Sequence, residues 1–537
     1  MRLEDYVSRN FNKKILNSNK STMAKLNYLL PAVLFVLFSC KAQTGTGINK
    51  GELKTKPNII FFFTDDQAYD TQKDYGNPDV KTPNIDKLAD EGMVFMRHYN
   101  TTAICMASRA NVMIGQYEYK TGTNFMHGPM KPEKWSDAFP MKLKKAGYSV
   151  GFGGKFGFSI SDNLKDKKKE GEVAKHDFDF WAGGKGQTSY QTANNPSIAK
   201  YAEAYPHSSR AYAAATIDFM RASVEKEQPF CMSVFFKAPH RPATPDPMFD
   251  DIYKDTKFRK LPNYGREAGK HLAPHSTKGR QYPRFEEWGY DKEETYQEAL
   301  RKYNQLIYGI DYSIGMIREE LKRLGIDDNT VIIFSSDNGY FNGSHGLGSK
   351  VLPYEESVRC PLIISDPRHK KSGAMRKTNM LSANVDISAT ILDIAGVEIP
   401  AAYDGISLLP VLDSPKKPVR TSLPIIQVWG TALTHCFSVI NQDYKYIYWF
   451  YKDESKGLEP TEELFDLKKD PYEMVNLASA AKNKSELNKM RELYDQQLQH
   501  WKTEGVKYNG YKQYGVLFDR SISWKEKEKL MNEVNNK

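Results

Sequence analysis

The 537-residue chain is poor in cysteine, with five in all, and poor in long apolar runs: its leading candidate, "LLPAVLFVLF" at 29–38, has ten residues. A bilayer-crossing helix needs about 20, so that stretch does not span a membrane. The cysteines, at 40, 105, 231, 360 and 436, lie too far apart in sequence to form a local zinc-binding or disulfide framework. Internal repeats and basic repeats are missing too, although 164–175 is lysine-rich. Residues 1–39 carry six Lys/Arg and two Asp/Glu, so that +6 of the net +10 remains for the rest. An excess that dilute excludes a nucleic-acid reading and suits an anionic small substrate or polymer.

The apolar run follows Lys20 and Lys25 and precedes "SC", the order of an export signal. "LFSC" looks like a bacterial lipobox, with lipid attached at Cys40; an ordinary secretory signal is the alternative. Residues 1–39 are therefore expected to be a leader and 40–56 a polar tether. The expected location is the periplasm, or the outer membrane as an anchored lipoprotein.

From residue 57 short apolar runs alternate with helical periods. "NIIFFF" (58–63) reads as a buried strand, "TPNIDKLADEG" (82–92) as a helix with Pro83 in its first turn, and "YQEALRKYNQLIYGIDYSIGMIREELKRLG" as a long amphipathic helix before the strand "TVIIFSSDNG". This predicts an α/β fold: a large mixed, mostly parallel sheet between helices over 57–410. After 411, "SLPIIQVWG", "HCFSVIN" and "YKYIYWFY" read as alternating strands and "SELNKMRELYDQQLQHWK" as a helix, giving a smaller α+β unit over 411–537 with a charged tail beyond Tyr508. Residues 164–175 and 241–291 read as surface insertions.

Three strands end in polar clusters: Asp65-Asp66, Lys237 to His240, and Asp337-Asn338. Ligands of open parallel sheets bind outside the carboxyl ends of the strands, where these clusters can meet. Carboxylate and amide oxygens are hard donors suited to Ca²⁺ or Mg²⁺, although an isolated Asp-Asp pair is commonly a solvated turn. Cys231 and Cys360 sit in strand-like runs and read as small buried hydrophobes. Cys105, in "ICMASRANVMIG", opens a helix with Arg109 one turn on; by itself it too reads as an inert buried cysteine.

"CMASR" resembles the maturation signature of type I sulfatases, in the alkaline-phosphatase superfamily, whose cysteine is oxidised to formylglycine. "NIIFFFTDDQ", "TPNIDKLADEGMVF", "GYSVGFGGK", "APHRP", "SSDNGYFNGSHGLGSK", "YEESVRCPLII" and "ELFDLKKDPYEMVNLA" resemble blocks of that family in the same order. The resemblance implies a hydrolase of sulfate esters. It makes Asp65, Asp66, Asp337, Asn338 and modified Cys105 the ligands of a calcium ion, and Arg109 the residue holding the aldehyde hydrate. Lys155, His240 and Lys350 would face the sulfate and bridging oxygens, with His345 in a supporting position beside the substrate. A formylglycine-generating maturation enzyme is implied as a partner.

Two positions depart from the family pattern. Its "GKWHLG"-like block reads "GKFGFS" here, which puts Gly157 in place of a histidine and leaves His127, His176 or another group to substitute. Ala107 stands where many members have proline. Export and a basic crevice point to a sulfated oligosaccharide or polysaccharide, algal first and host glycosaminoglycan second. Arg210, Arg241, Arg266, His271, His275 and Arg280 in the inserted stretches are candidates for charge contacts. The alternatives are a phosphate or phosphonate ester hydrolase of the same superfamily and a catalytically weakened glycan-binding relative.

Overall fold

The computed structural model describes residues 56–163, 171–429, 434–451, 458–527 and 529. The expected leader, Cys40 and most of the tether lie outside the described residues, as does much of the 164–175 insertion.

"NIIFFF" becomes the core of strand β1 (Asn58–Asp65), buried along its whole length. Seven more strands join it: β2 (Met93–Phe95), β3 (Ser149–Lys155), β4 (Phe180–Gly184), β5 (Phe230–Pro239), β6 (Thr330–Ser336), β7 (Leu362–Ser365) and β8 (Arg376–Thr378). Their order across the sheet is β8-β2-β7-β6-β1-β5-β3-β4. All neighbours run parallel except β7, which is antiparallel to both β2 and β6.

Side chains alternate across a strand, so β1 feeds two helix layers. Ile59, Phe61 and Phe63 pack with α2 (Cys105–Ile114), α3 (Phe139–Lys145) and α6 (Asn384–Ile394). Ile60 and Phe62 pack on the other face with α1 (Pro83–Glu91), α4 (Ser208–Glu225) and α5 (Glu293–Leu324). Each phenylalanine so buried contributes about 1.5–3 kcal/mol, which makes β1 a firm mount for the residues at its end. Gly325, left-handed at φ 66°, ends the 32-residue α5.

The three C-terminal strand expectations correspond to β9 (Ser422–Gln427), β10 (Thr434–Asn441) and β11 (Tyr444–Tyr451); β12 (Thr461–Asp466) completes an antiparallel four-stranded sheet. Helix α7 (Lys484–Glu504) covers it with Leu487, Met490, Tyr494, Leu498 and Trp501. The same apolar cluster takes in Tyr99, Tyr119 and Tyr354 from the larger half of the chain. The charged tail expected beyond Tyr508 begins later: Tyr511, Tyr514, Leu517 and Phe518 are buried in this cluster, their apolar surface outweighing the single intervening Lys512.

Candidate active site

β1 and β6 are adjacent and in register, Thr64 opposite Ser336, so the pairs that follow them leave the sheet side by side. Asp66 takes a left-handed backbone at φ 70°. Its N–H donates to Asp337 Oδ1 at 3.2 Å, and Asn338 Nδ2 donates to Asp66 Oδ1 at 2.7 Å. β3 delivers Lys155 from two strands away, with its Nζ 2.6 Å from Asp65 Oδ2. That close strand approach depends on Gly154: at φ 96°, a β-carbon there would stand 1.9 Å from the Phe235 carbonyl oxygen.

α2 is buried on every side, as its sequence implies, and its first residue is Cys105. One turn later Arg109 is wholly buried against the rings of Phe63 and Phe235. Its Nε donates to Asp337 Oδ2 at 2.8 Å and its Nη1 to the Lys155 carbonyl at 2.7 Å. Cys105, Asp65 and Asp337 place ligand atoms within 4.8 Å of one another, and so do Asp65, Asp66 and His240. Lys350 Nζ pairs with Asp66 Oδ1. His240 Nδ1 donates to the Arg241 carbonyl at 2.5 Å, leaving Nε2 3.8 Å from Asp66 Oδ2.

Three buried carboxylates therefore face three buried cations. Burial alone would raise Asp65, but Lys155, His240, Arg109 and Lys350 together hold it well below the usual carboxylate range. Burial and the Asp65 charge push Asp337 up. Lys350 is driven upward against its burial by Asp66 and keeps its charge. Burial pulls His240 and pushes the Cys105 thiol toward their neutral forms. Asp65 Oδ1 and Asn338 Oδ1 are buried without a hydrogen-bond partner among the described residues. Two orphaned hard oxygens beside a carboxylate cluster fit a Ca²⁺-like ion.

Asp66, Cys105, His240 and Lys350 form part of the lining of a cavity of about 530 Å³, within the range of small-ligand sites. Asp65, Arg109, Lys155, Asp337 and Asn338 lie outside that lining, tied to it through Asp66 and Cys105. The sequence reading missed much of the wall: Phe125, Gln187, Arg284, Trp288, Tyr340 and Trp429. Gln187 Oε1 accepts from Lys155 Nζ at 2.8 Å, a contact that "GKGQTS" gives no means of foreseeing.

His345 is not part of the cavity lining: its side chain is fully buried, its Nε2 contacts Asn263 Nδ2 at 3.0 Å, and it lies 3.7 Å from Glu356. Of the six candidates for charge contacts, Arg241 and Arg280 line the cavity, and Arg210 lies on α4 outside both insertions. Arg210 pairs with Asp246, Arg266 with Glu286, His271 with the Glu473 carbonyl, and His275 stacks on Trp449. His127 packs on Tyr511 and His176 is exposed, and neither is part of the cavity lining. Gly157, at φ 88°, lies against Arg109: a β-carbon there would be 2.7 Å from Arg109 Cδ.

Comparison with known proteins identifies the family. The Sulfatase family profile matches residues 57–397, and the profile of the N-sulphoglucosamine sulphohydrolase C-terminal region matches 343–502. The chain is 29% identical to an N-acetylglucosamine-6-O-sulfatase of Bacteroides thetaiotaomicron, over 89% of this chain and 91% of that one. It is 24% identical to an Ulvan-active sulfatase of Formosa agariphila, over 87% and 86%. The structure of BT4656 in complex with its substrate D-glucosamine-2-N,6-O-disulfate superposes with a TM-score of 0.68 at 25% identity, covering 85% of this chain and all of that one. A phosphonate monoester hydrolase of Agrobacterium radiobacter shares the fold, with a TM-score of 0.67 at 20% identity over 84% and 96%. With a family profile spanning well over half its length, the chain belongs to the sulfatase family of the alkaline-phosphatase superfamily, and it is a sulfuric ester hydrolase.

Proposed function

We propose that this protein removes a sulfate group from a sulfated saccharide, with Cys105 converted to formylglycine and with Asp65, Asp66, Asp337 and Asn338 holding a calcium ion. The observation that carries this reading is the meeting of the Cys105, Asp65 and Asp337 ligand atoms within 4.8 Å, with Cys105 on the wall of a cavity that also holds Lys350 and His240. A formylglycine at position 105 would supply, as its hydrate, a hydroxyl nucleophile for the sulfate ester, and an ion held by Asp65, Asp66, Asp337 and Asn338 would supply positive charge to that chemistry.

The protein's own groups account for the rest. Arg109 fixes Asp337 through Nε and ties it to β3 through the Lys155 carbonyl, so that the ligand cluster and α2 cannot shift independently. Lys350 keeps an ammonium at the cavity wall, where negative charge gathers on the sulfate oxygens as the S–O bond breaks; a cation placed there in advance stabilises the transition state more than the ground state. Lys155 reinforces that charge from behind Asp65 and is oriented by Gln187. His240 has Nδ1 committed to the Arg241 carbonyl and presents Nε2 to the leaving oxygen, to which it passes a proton as imidazolium, the form that the negative charge of a bound sulfate favours.

For the substrate, similarity to the N-acetylglucosamine-6-O-sulfatase favours a sulfated amino sugar of a glycosaminoglycan, and similarity to the Ulvan-active sulfatase supports an algal polysaccharide. We place the amino sugar first. Export with lipid at Cys40 is part of this proposal, and its check is palmitate labelling that disappears in Cys40→Ala. The functional test is peptide mass spectrometry of Cys105 together with sulfate release from N-acetylglucosamine 6-sulfate, with an aryl phosphate in parallel. Carbonyl at Cys105 with sulfate release supports the reading. Phosphate release that outpaces sulfate release contradicts it.

A further inference from the structure

Three guanidiniums, Arg241, Arg280 and Arg284, line the same cavity as Cys105. None of them has a carboxylate ion-pair partner among the described residues. They are instead laid on aromatic faces. Arg280 sits over Trp429 at 3.9 Å, while Arg284 and Arg241 sit over Trp288 at 4.5 and 4.9 Å. Arg284 Nη1 also donates to Ser349 Oγ at 2.9 Å, which ties it to the segment carrying Lys350. Arg280 Nε is buried with no hydrogen-bond partner among the described residues.

The electrostatic consequence is visible in Arg280, brought down to about 10 by burial and by the neighbouring Arg284 charge. Arg284 is lowered by burial as well. Like charges gathered beside a cavity, with Glu287 and Asp66 near Arg284 but no carboxylate paired to any of the three, favour the entry of an anionic group. Stacking on indole fixes the plane of each guanidinium, and beyond the Arg284 bond to Ser349 and a hydrogen bond between Arg241 and the Tyr290 hydroxyl, N–H groups remain for capture of a carboxylate or sulfate. Binding one sulfate ester at Cys105 and Lys350 would not use these three forks.

We propose that the Arg241, Arg280 and Arg284 cluster is a second anion subsite, so that the preferred substrate carries another sulfate or a carboxylate besides the ester that is cleaved. This rests on the sulfatase reading and narrows its substrate to a saccharide with at least two negative charges. Each charged hydrogen bond gained is worth roughly a 10- to 100-fold preference.

The test compares three probes: N-acetylglucosamine 6-sulfate, glucosamine N,6-disulfate, and a disaccharide of N-acetylglucosamine 6-sulfate linked to glucuronate. Two quantities are read on wild type and Arg280→Gln, kcat/KM for sulfate release and Kd by calorimetry on the Cys105→Ala background. The expected result is a 10- to 100-fold preference of the wild type for one two-charge probe, falling toward unity in Arg280→Gln chiefly through KM. Preference for the disulfate identifies a sulfate as the second group, and preference for the disaccharide a carboxylate. Equal kcat/KM and equal Kd across the probes overturn the proposal, and so does a preference that survives in Arg280→Gln. If no probe is desulfated, the sulfatase reading fails, and the Kd ratio alone then decides on the subsite, with undetectable or equal binding counting against it.

Discussion

Restoring the family histidine by Gly157→His is expected to damage this enzyme. Gly157 has φ 88°, where a β-carbon costs about 1–2 kcal/mol. The added atom would also meet Arg109 Cδ at 2.7 Å. Arg109 cannot swing aside cheaply, because hydrogen bonds of 2.8 Å to Asp337 and 2.7 Å to the Lys155 carbonyl pin its guanidinium in a fully buried slot. Overpacking of this kind costs about 1–3 kcal/mol, so the combined loss is about 2–5 kcal/mol. Displacing Arg109 moves Asp337 with it, and a shift of about 1 Å at a catalytic group costs roughly 100-fold in rate. Urea unfolding and sulfate-release kinetics on Gly157→Ala and Gly157→His measure both effects. Alanine isolates the backbone and β-carbon penalty, and histidine adds the ring. If Gly157→His unfolds at the wild-type urea midpoint and turns over faster, the glycine is a simple loss and the packing argument is wrong.

Arg109→Met leaves the Asp337 carboxylate buried without its partner and is expected to lose about 3–5 kcal/mol in urea unfolding along with all sulfate release. Chelation of divalent ions is expected to abolish activity and lower the thermal midpoint, with both restored by Ca²⁺; a midpoint indifferent to chelator would contradict an ion bound to the native state. Glu118 is buried, accepts from Tyr511 Oη and Asn124 Nδ2 at 2.6 Å each, and burial pushes it from 4.5 up to about 7. The folded state thus holds a proton that the unfolded state has released, so this residue's contribution is complete below about pH 4.5 and is lost as pH rises to about 7, at about 1.4 kcal/mol per pH unit. Glu118→Gln is expected to match wild type at pH 4.5 and exceed it in stability at pH 8, as read by urea unfolding at the two pH values.

The sheet, its two helix layers and the ligand cluster were legible because each rests on local signals. "NIIFFF" is too apolar to lie on a surface, and acidic pairs at the ends of neighbouring parallel strands have little choice but to meet. Cys105 and Arg109 were placed by helical spacing and by resemblance. The cavity wall was less legible. Arg241, Arg280, Arg284 and Trp288 come from a long insertion with little regular structure, and only tertiary packing sets which of its many charges turn inward. Arg210 and Arg266 show the other outcome, each neutralised by a nearby carboxylate that composition does not reveal. His345 was placed by motif position alone, which does not reveal that it packs against Asn263 and Glu356 outside the cavity lining. Tyr511 to Phe518 were overlooked beside the charged residues that follow them, although Tyr514 and Phe518 pack against Trp501 of α7.

The central claim is that sulfate release depends on a carbonyl formed at position 105. It is tested most directly by preparing the enzyme at several degrees of conversion and plotting the rate of sulfate release against the fraction of Cys105 found as formylglycine by mass spectrometry. A straight line through the origin is the predicted result; appreciable release from protein in which every Cys105 is still a thiol would contradict it.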